Sequence, residues 1–155
     1  MKLSQPVPEE QLREARKRTE RLINVRDRSS AELRSRLNKA GFTDTVVEVE
    51  VNAALSMGLV DDERFVRLYV EGKKKSGWGR NRIEAGIKRY GIELKHCEGY
   101  PESFFTEEDE LRRAQESLRR FRSVAKDQWG AQYRRLVSRG FTAETALKVL
   151  TLLTI

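Results

Sequence analysis

Apolar positions recur at helical steps along most of the chain. Leu12, Ala15, Thr19, Leu22 and Ile23 make one stripe at three- and four-residue spacing, and Leu33 and Leu37 begin another. Phe65, Leu68 and Tyr69 predict a helix after the acidic start Asp61-Asp62-Glu63. Leu111, Ala114, Leu118 and Phe121 predict one capped by Thr106. Ser29-Ser30-Ala31-Glu32 has the form of a capping box, and Thr43 and Thr142 stand where N-caps are needed. Val47-Glu48-Val49-Glu50-Val51 alternates as a half-buried strand would. Val47, Val51 and Leu55 also fit four-residue steps, and a lone strand has no partner, so the segment is read as helix.

The helices are punctuated at regular intervals. Gly41, Gly91 and Gly140 are separated by 50 and 49 residues, and each follows a basic amphipathic run and precedes an apolar residue. Leu37, Ile87 and Leu136 each stand four residues before the glycine. Leu33 and Ile83 stand eight before it, while Gln132 breaks the rule with Tyr133 beside it. A glycine there supplies the left-handed residue that ends a helix. The pattern predicts an all-α protein of three tandem three-helix repeats, stacked into an elongated, curved molecule. The expected boundaries are a flexible N-terminus over 1–8 and repeats over 9–58, 59–105 and 106–155. Gly99 and Pro101 leave the third helix of the middle repeat short or absent.

Composition adds a charge imbalance to this picture. The 155 residues carry a net charge of +7, with hydrophobic residues at 38% and charged ones at 35%, a balance suited to thin helical layers. The excess is banded. Glu9–Lys39 is net +4, residues 41–71 net −5, Lys73–Arg89 net +6, Glu102–Glu110 net −5 and Arg112–Arg139 net +7. Stacked repeats would align the basic bands into a stripe that can track a phosphate backbone or an acidic groove. Adjacent like charges in Lys73-Lys74-Lys75 repel each other and gain nothing locally, which favours a binding role.

Enzyme chemistry has few candidates. His96 and Cys97 are the single histidine and single cysteine, and neighbouring helical side chains diverge by about 100°, so no nucleophile–base pair or metal spacing arises from them. Gly77-Trp78-Gly79 lacks the rest of a phosphate-binding loop, and Asp61-Asp62 has no second carboxylate cluster to share Mg²⁺. No enzyme, metal or cofactor is expected. One cysteine allows no internal disulfide, and no segment has the ~20 apolar residues that span a bilayer, so a cytoplasmic protein is expected.

Gly58-Leu59-Val60-Asp61-Asp62-Glu63-Arg64-Phe65 closely resembles the Gly-Leu-hydrophobic-Asp-Asp-x-x-Phe element of RecX proteins. Arg26-Asp27-Arg28-Ser29 with Glu32-Leu33, Leu37 and Gly41-Phe42 is similar to the family's N-terminal signature. Lys75-Ser76-Gly77-Trp78-Gly79-Arg80 with Arg82-Ile83 and Gly91-Ile92 is similar to its middle signature. The resemblance covers roughly residues 22–94. It implies three tandem three-helix repeats, a partner in the RecA filament on single-stranded DNA, and restraint of ATP hydrolysis, strand exchange and coprotease action in recombination, DNA repair and the SOS response. A monomer that touches single-stranded DNA fits the same picture. The alternative is a basic helix-turn-helix-like DNA-binding module. Asp61 and Asp62 read as helix caps. Contacts are expected among Arg26, Arg28, Arg34, Arg36, Lys73, Lys74, Lys75, Arg80, Arg82, Lys88 and Arg89. Trp78 is either a stacking or anchoring side chain, or one that packs on a neighbouring helix.

Overall fold

A computed structural model describes residues 7–153; residues 1–6 of the expected N-terminal tail lie outside them. The described chain is all helical: α1 (Glu9–Val25), α2 (Ser30–Lys39), α3 (Asp44–Ser56), α4 (Asp62–Lys75), α5 (Arg80–Ile87), α6 (Glu107–Arg119), α7 (Gln128–Ser138) and α8 (Ala143–Leu153), with 3₁₀ turns at Lys88–Tyr90 and Leu94–His96. It divides into two compact units whose boundary falls between Arg67 and Leu68, within α4.

In the first unit α1, α2 and α3 pack on one another. Their core is Ala15, Leu33, Leu37, Val46, Val47, Val51, Ala54 and Val60. The alternating valines are helical, as expected, because Thr43 Oγ1 accepts from Val46 N and starts α3. The buried stripe runs through Val46, Val47, Val51 and Ala54, while Leu55, expected on it, is exposed. Glu50 is also buried, and its charge is met by Arg16 at 2.8 Å. Ser29 Oγ accepts from Glu32 N at 3.1 Å and caps α2. Asp61 Oδ1 accepts from Arg64 N at 3.1 Å and caps α4.

In the second unit α6, α7 and α8 enclose Ala114, Leu118, Leu136, Phe141, Ala146, Val149 and Leu150. Thr106 and Thr142 cap α6 and α8 by accepting from Asp109 N and Thr145 N. Tyr133 packs against this core, in line with its expected substitution for Gln132. Between α5 and α6 the chain has only the 3₁₀ turns at Lys88–Tyr90 and Leu94–His96 and a run of turns, as Gly99 and Pro101 foretold. On α4 the buried residues are Phe65, Val66 and Val70; Leu68, expected on that stripe, is exposed. The hundred-degree helical step explains it, since Val66 and Val70 share a face that Leu68 does not.

Gly41, Gly91 and Gly140 all have left-handed backbones, with φ of 96°, 76° and 101°. Gly140 does more than end α7. Gly79 N donates to Arg139 O at 2.7 Å and Asn81 N donates to Gly140 O at 2.8 Å, so the α4–α5 turn docks on the α7–α8 turn. A Cβ on Gly79 would lie 2.2 Å from Phe141 N, and one on Gly140 would lie 2.3 Å from Arg82 Cβ. Both glycines are needed for two backbones to approach this closely.

Candidate functional site

Two of the expected contact residues in the first unit are committed to local structure. Arg28 is buried, and its guanidinium donates to Leu22 O at 3.2 Å and pairs with Glu32 at 3.0 Å. Arg26 pairs with the same carboxylate. Burial raises the pKa of Glu32, but the hydrogen bonds from Arg26 and Arg28 outweigh it and hold the group below its usual value. Arg34 is paired with Glu48 at 2.7 Å, while Arg36 is exposed on α2.

In the second unit the lysine triplet at the end of α4 divides. Lys73 Nζ sits 4.5 Å from the Trp78 ring centroid and 5.4 Å from that of Tyr69. Lys74 turns inward, pairing with Asp109 at 3.2 Å, donating to Phe104 O and lying over the Phe105 ring. Lys75 is exposed. Arg80 is likewise structural: it pairs with Glu84 at 3.2 Å and donates to Tyr100 Oη at 2.7 Å. Burial lowers the Arg80 pKa, and those two partners raise it above its usual value. Its backbone N–H donates to Glu110 Oε2 at 3.2 Å, so a buried carboxylate of α6 serves as the cap that Gly79 cannot provide for α5.

Trp78 is the organising aromatic. Besides Lys73, the Arg82 guanidinium lies over it at 4.1 Å. These are cation–π distances. Its edge rests on α5 where Gly86 has no side chain, since a Cβ there would lie 3.1 Å from Trp78 Cζ3. The ring is half-buried, Arg82 is exposed, and Lys88 and Arg89 are exposed on the turn that follows α5. Lys73, Lys75, Arg82, Lys88 and Arg89 are therefore the members of the expected set that leave charge at the surface of this unit.

Four further cations were not singled out by sequence reasoning. Arg113, Arg120, Arg135 and Arg139 line one cleft with Lys75. The signal was present as the +7 band over Arg112–Arg139, but a band of nine cations on two helices and a loop does not reveal which of them meet. Among the described residues no group of His, Cys, Asp and Glu is arranged to hold a metal, and no helix is long and apolar enough to cross a membrane.

Residues 61–95 match the family description "RecX, second three-helix domain". The chain is 30% identical over 80 residues to the regulatory protein RecX of Mycolicibacterium vanbaalenii, an alignment covering 51% of this chain and 44% of that one. It is 27% identical over 99 residues to the regulatory protein RecX of Caldanaerobacter subterraneus subsp. tengcongensis, covering 64% and 50%. It thus spans about half the length of the curated relatives it matches. The crystal structure of RecX from Lactobacillus salivarius has the same fold, with a TM-score of 0.79 at 14% identity over 95% of this chain and 99% of that one.

Proposed function

We propose that the chain, which is similar to RecX proteins in its matched segment and in its fold, binds the RecA filament assembled on single-stranded DNA and restrains the filament's ATPase, strand-exchange and coprotease activities. The observation that carries this reading is the cluster around Trp78. Lys73 and Arg82 lie with that ring inside the matched segment 61–95, and they present positive charge beside a half-buried aromatic. Such a surface suits an acidic groove or a strand of phosphates and bases. In this reading the protein acts by occupancy, with no catalytic step and no cofactor, as a cytoplasmic monomer. The repeat division 9–58, 59–105 and 106–155 belongs to the same reading.

The test is RecA ATPase on single-stranded DNA. Sub-stoichiometric addition of this protein should slow hydrolysis; an unchanged rate at equimolar protein would overturn the proposal. Sequence-preferring binding to duplex DNA, with no effect on RecA, would instead support a helix-turn-helix-like module.

A further inference from the structure

The cleft beside Lys75 collects more positive charge than its surroundings neutralise. Lys75 ends α4, Arg120 follows α6, and Arg135 and Arg139 close α7; together they line a cavity of about 330 Å³. Lys74 and Arg113 also reach it, but Asp109 meets both, at 3.2 and 3.0 Å. Glu116 is the carboxylate among the lining residues, and it is engaged by Arg119 at 3.3 Å. Carbonyl-bearing ends of three helices offset some of the repulsion. They do not satisfy the donors. Arg139 Nη2 donates to Ser76 O at 2.6 Å, and Arg135 lies over the Phe121 ring at 5.6 Å, yet the Nε–H groups of both arginines are buried without an acceptor.

Buried donors are nearly always paired, so two orphans on adjacent turns of one helix point to a missing acceptor. Burial, and then the charges of Arg135 and Arg82, pull the Arg139 pKa below its usual value, as an anion's arrival would reverse. The backbone is built around this arginine. Gly77 has φ of +86°, and a Cβ there would lie 2.7 Å from Arg139 Nη2, so glycine provides both the turn and the room.

We propose that this cleft is a binding site for a phosphate group, carried either by a nucleic-acid strand or by a free phosphate ester. Planar guanidinium forks match phosphate oxygens, and several cations around one cavity suit an anion with three or more acceptors. A single carboxylate brings one charge and two oxygens, and leaves donors unmet. The site stands apart from the RecA reading, and its test contains no RecA, so the two succeed or fail separately.

The wild-type protein is observed by ¹H–¹⁵N NMR at the arginine Nε–H resonances, with Arg135→Lys and Arg139→Lys each identifying one signal by its loss. Sodium pyrophosphate and a thymidine oligonucleotide are titrated in parallel, with sodium acetate and sodium chloride at matched ionic strength as controls. Both resonances should move saturably with a phosphate source, at least about tenfold tighter than with acetate. The source that saturates at the lower phosphate concentration is the carrier. The Arg135→Gln/Arg139→Gln pair, with helicity checked by circular dichroism, should bind that source at least about fivefold more weakly. Resonances that stay fixed, or that move equally with acetate or chloride, overturn the site.

Discussion

Asp62 caps a helix that begins 32 residues before it. Its carboxylate accepts from Ser30 N at 2.8 Å and from Ser30 Oγ at 2.6 Å. Ser30 is the first residue of α2, whose leading N–H groups have no partner within the helix. The two adjacent aspartates thus serve different helices, Asp61 its own and Asp62 a distant one.

Asp62→Ala should therefore destabilise the first unit by about 1–2 kcal/mol, in the range for loss of an N-cap. Asp62→Asn keeps an acceptor and should lose less. Urea midpoints followed by circular dichroism measure the difference, and an Asp62→Ala midpoint equal to wild type refutes the long-range cap.

Gly79→Ala tests the turn-on-turn contact of the second unit. The new methyl would strike Phe141 N and force apart the pair of hydrogen bonds that Arg139 O and Gly140 O accept. A loss of about 1–3 kcal/mol is expected for such overpacking, and more if both bonds open. Amide exchange at positions 79 and 81 should rise above that of Gly86 in the variant; unchanged protection rejects the contact.

The lysine triplet separates into stability and binding. Lys74→Ala leaves Phe104 O and Asp109 with fewer partners, and should cost about 1–3 kcal/mol. Lys75→Ala should change stability by less than about 0.5 kcal/mol while weakening binding to filaments or oligonucleotides, with a smaller salt dependence. Melting curves and anisotropy titrations distinguish the two. A combined alanine replacement of Lys73, Lys74 and Lys75 would mix both effects. Equal binding by Lys75→Ala and wild type across a salt series removes Lys75 from the interface.

Acid should loosen the second unit in a defined window. Burial raises the Asp109 pKa, but hydrogen bonds from Arg112, Arg113 and Lys74 outweigh it and hold the group at about 2 against an ordinary 3.8. A folded value below the unfolded one contributes stability above the unfolded value, and that contribution fades as pH falls from about 4 to about 2. Melting temperature measured across this window should fall less steeply in Asp109→Asn than in wild type. Parallel curves would mean that the carboxylate is not charge-paired.

Leu37→Ala removes a fully buried side chain four residues before Gly41 and should cost about 2–5 kcal/mol. A smaller shift in the denaturant midpoint would show that the core of α2 collapses around the gap.

The helices, most of their caps and the left-handed glycines were legible in the sequence, because each is decided within a few residues. Leu33 and Leu37 four apart, Thr43 before its helix and Gly140 after its own needed no distant partner to be recognised. The distinction between a cation held inside and one left at the surface was not legible. Arg28, Lys74 and Arg80 look like their neighbours in the chain, and only packing brought Glu32, Asp109 and Glu84 against them. The cleft of Arg135 and Arg139 was hidden for the same reason, since its walls come from three helices and a charge acts through space, whatever its place along the backbone.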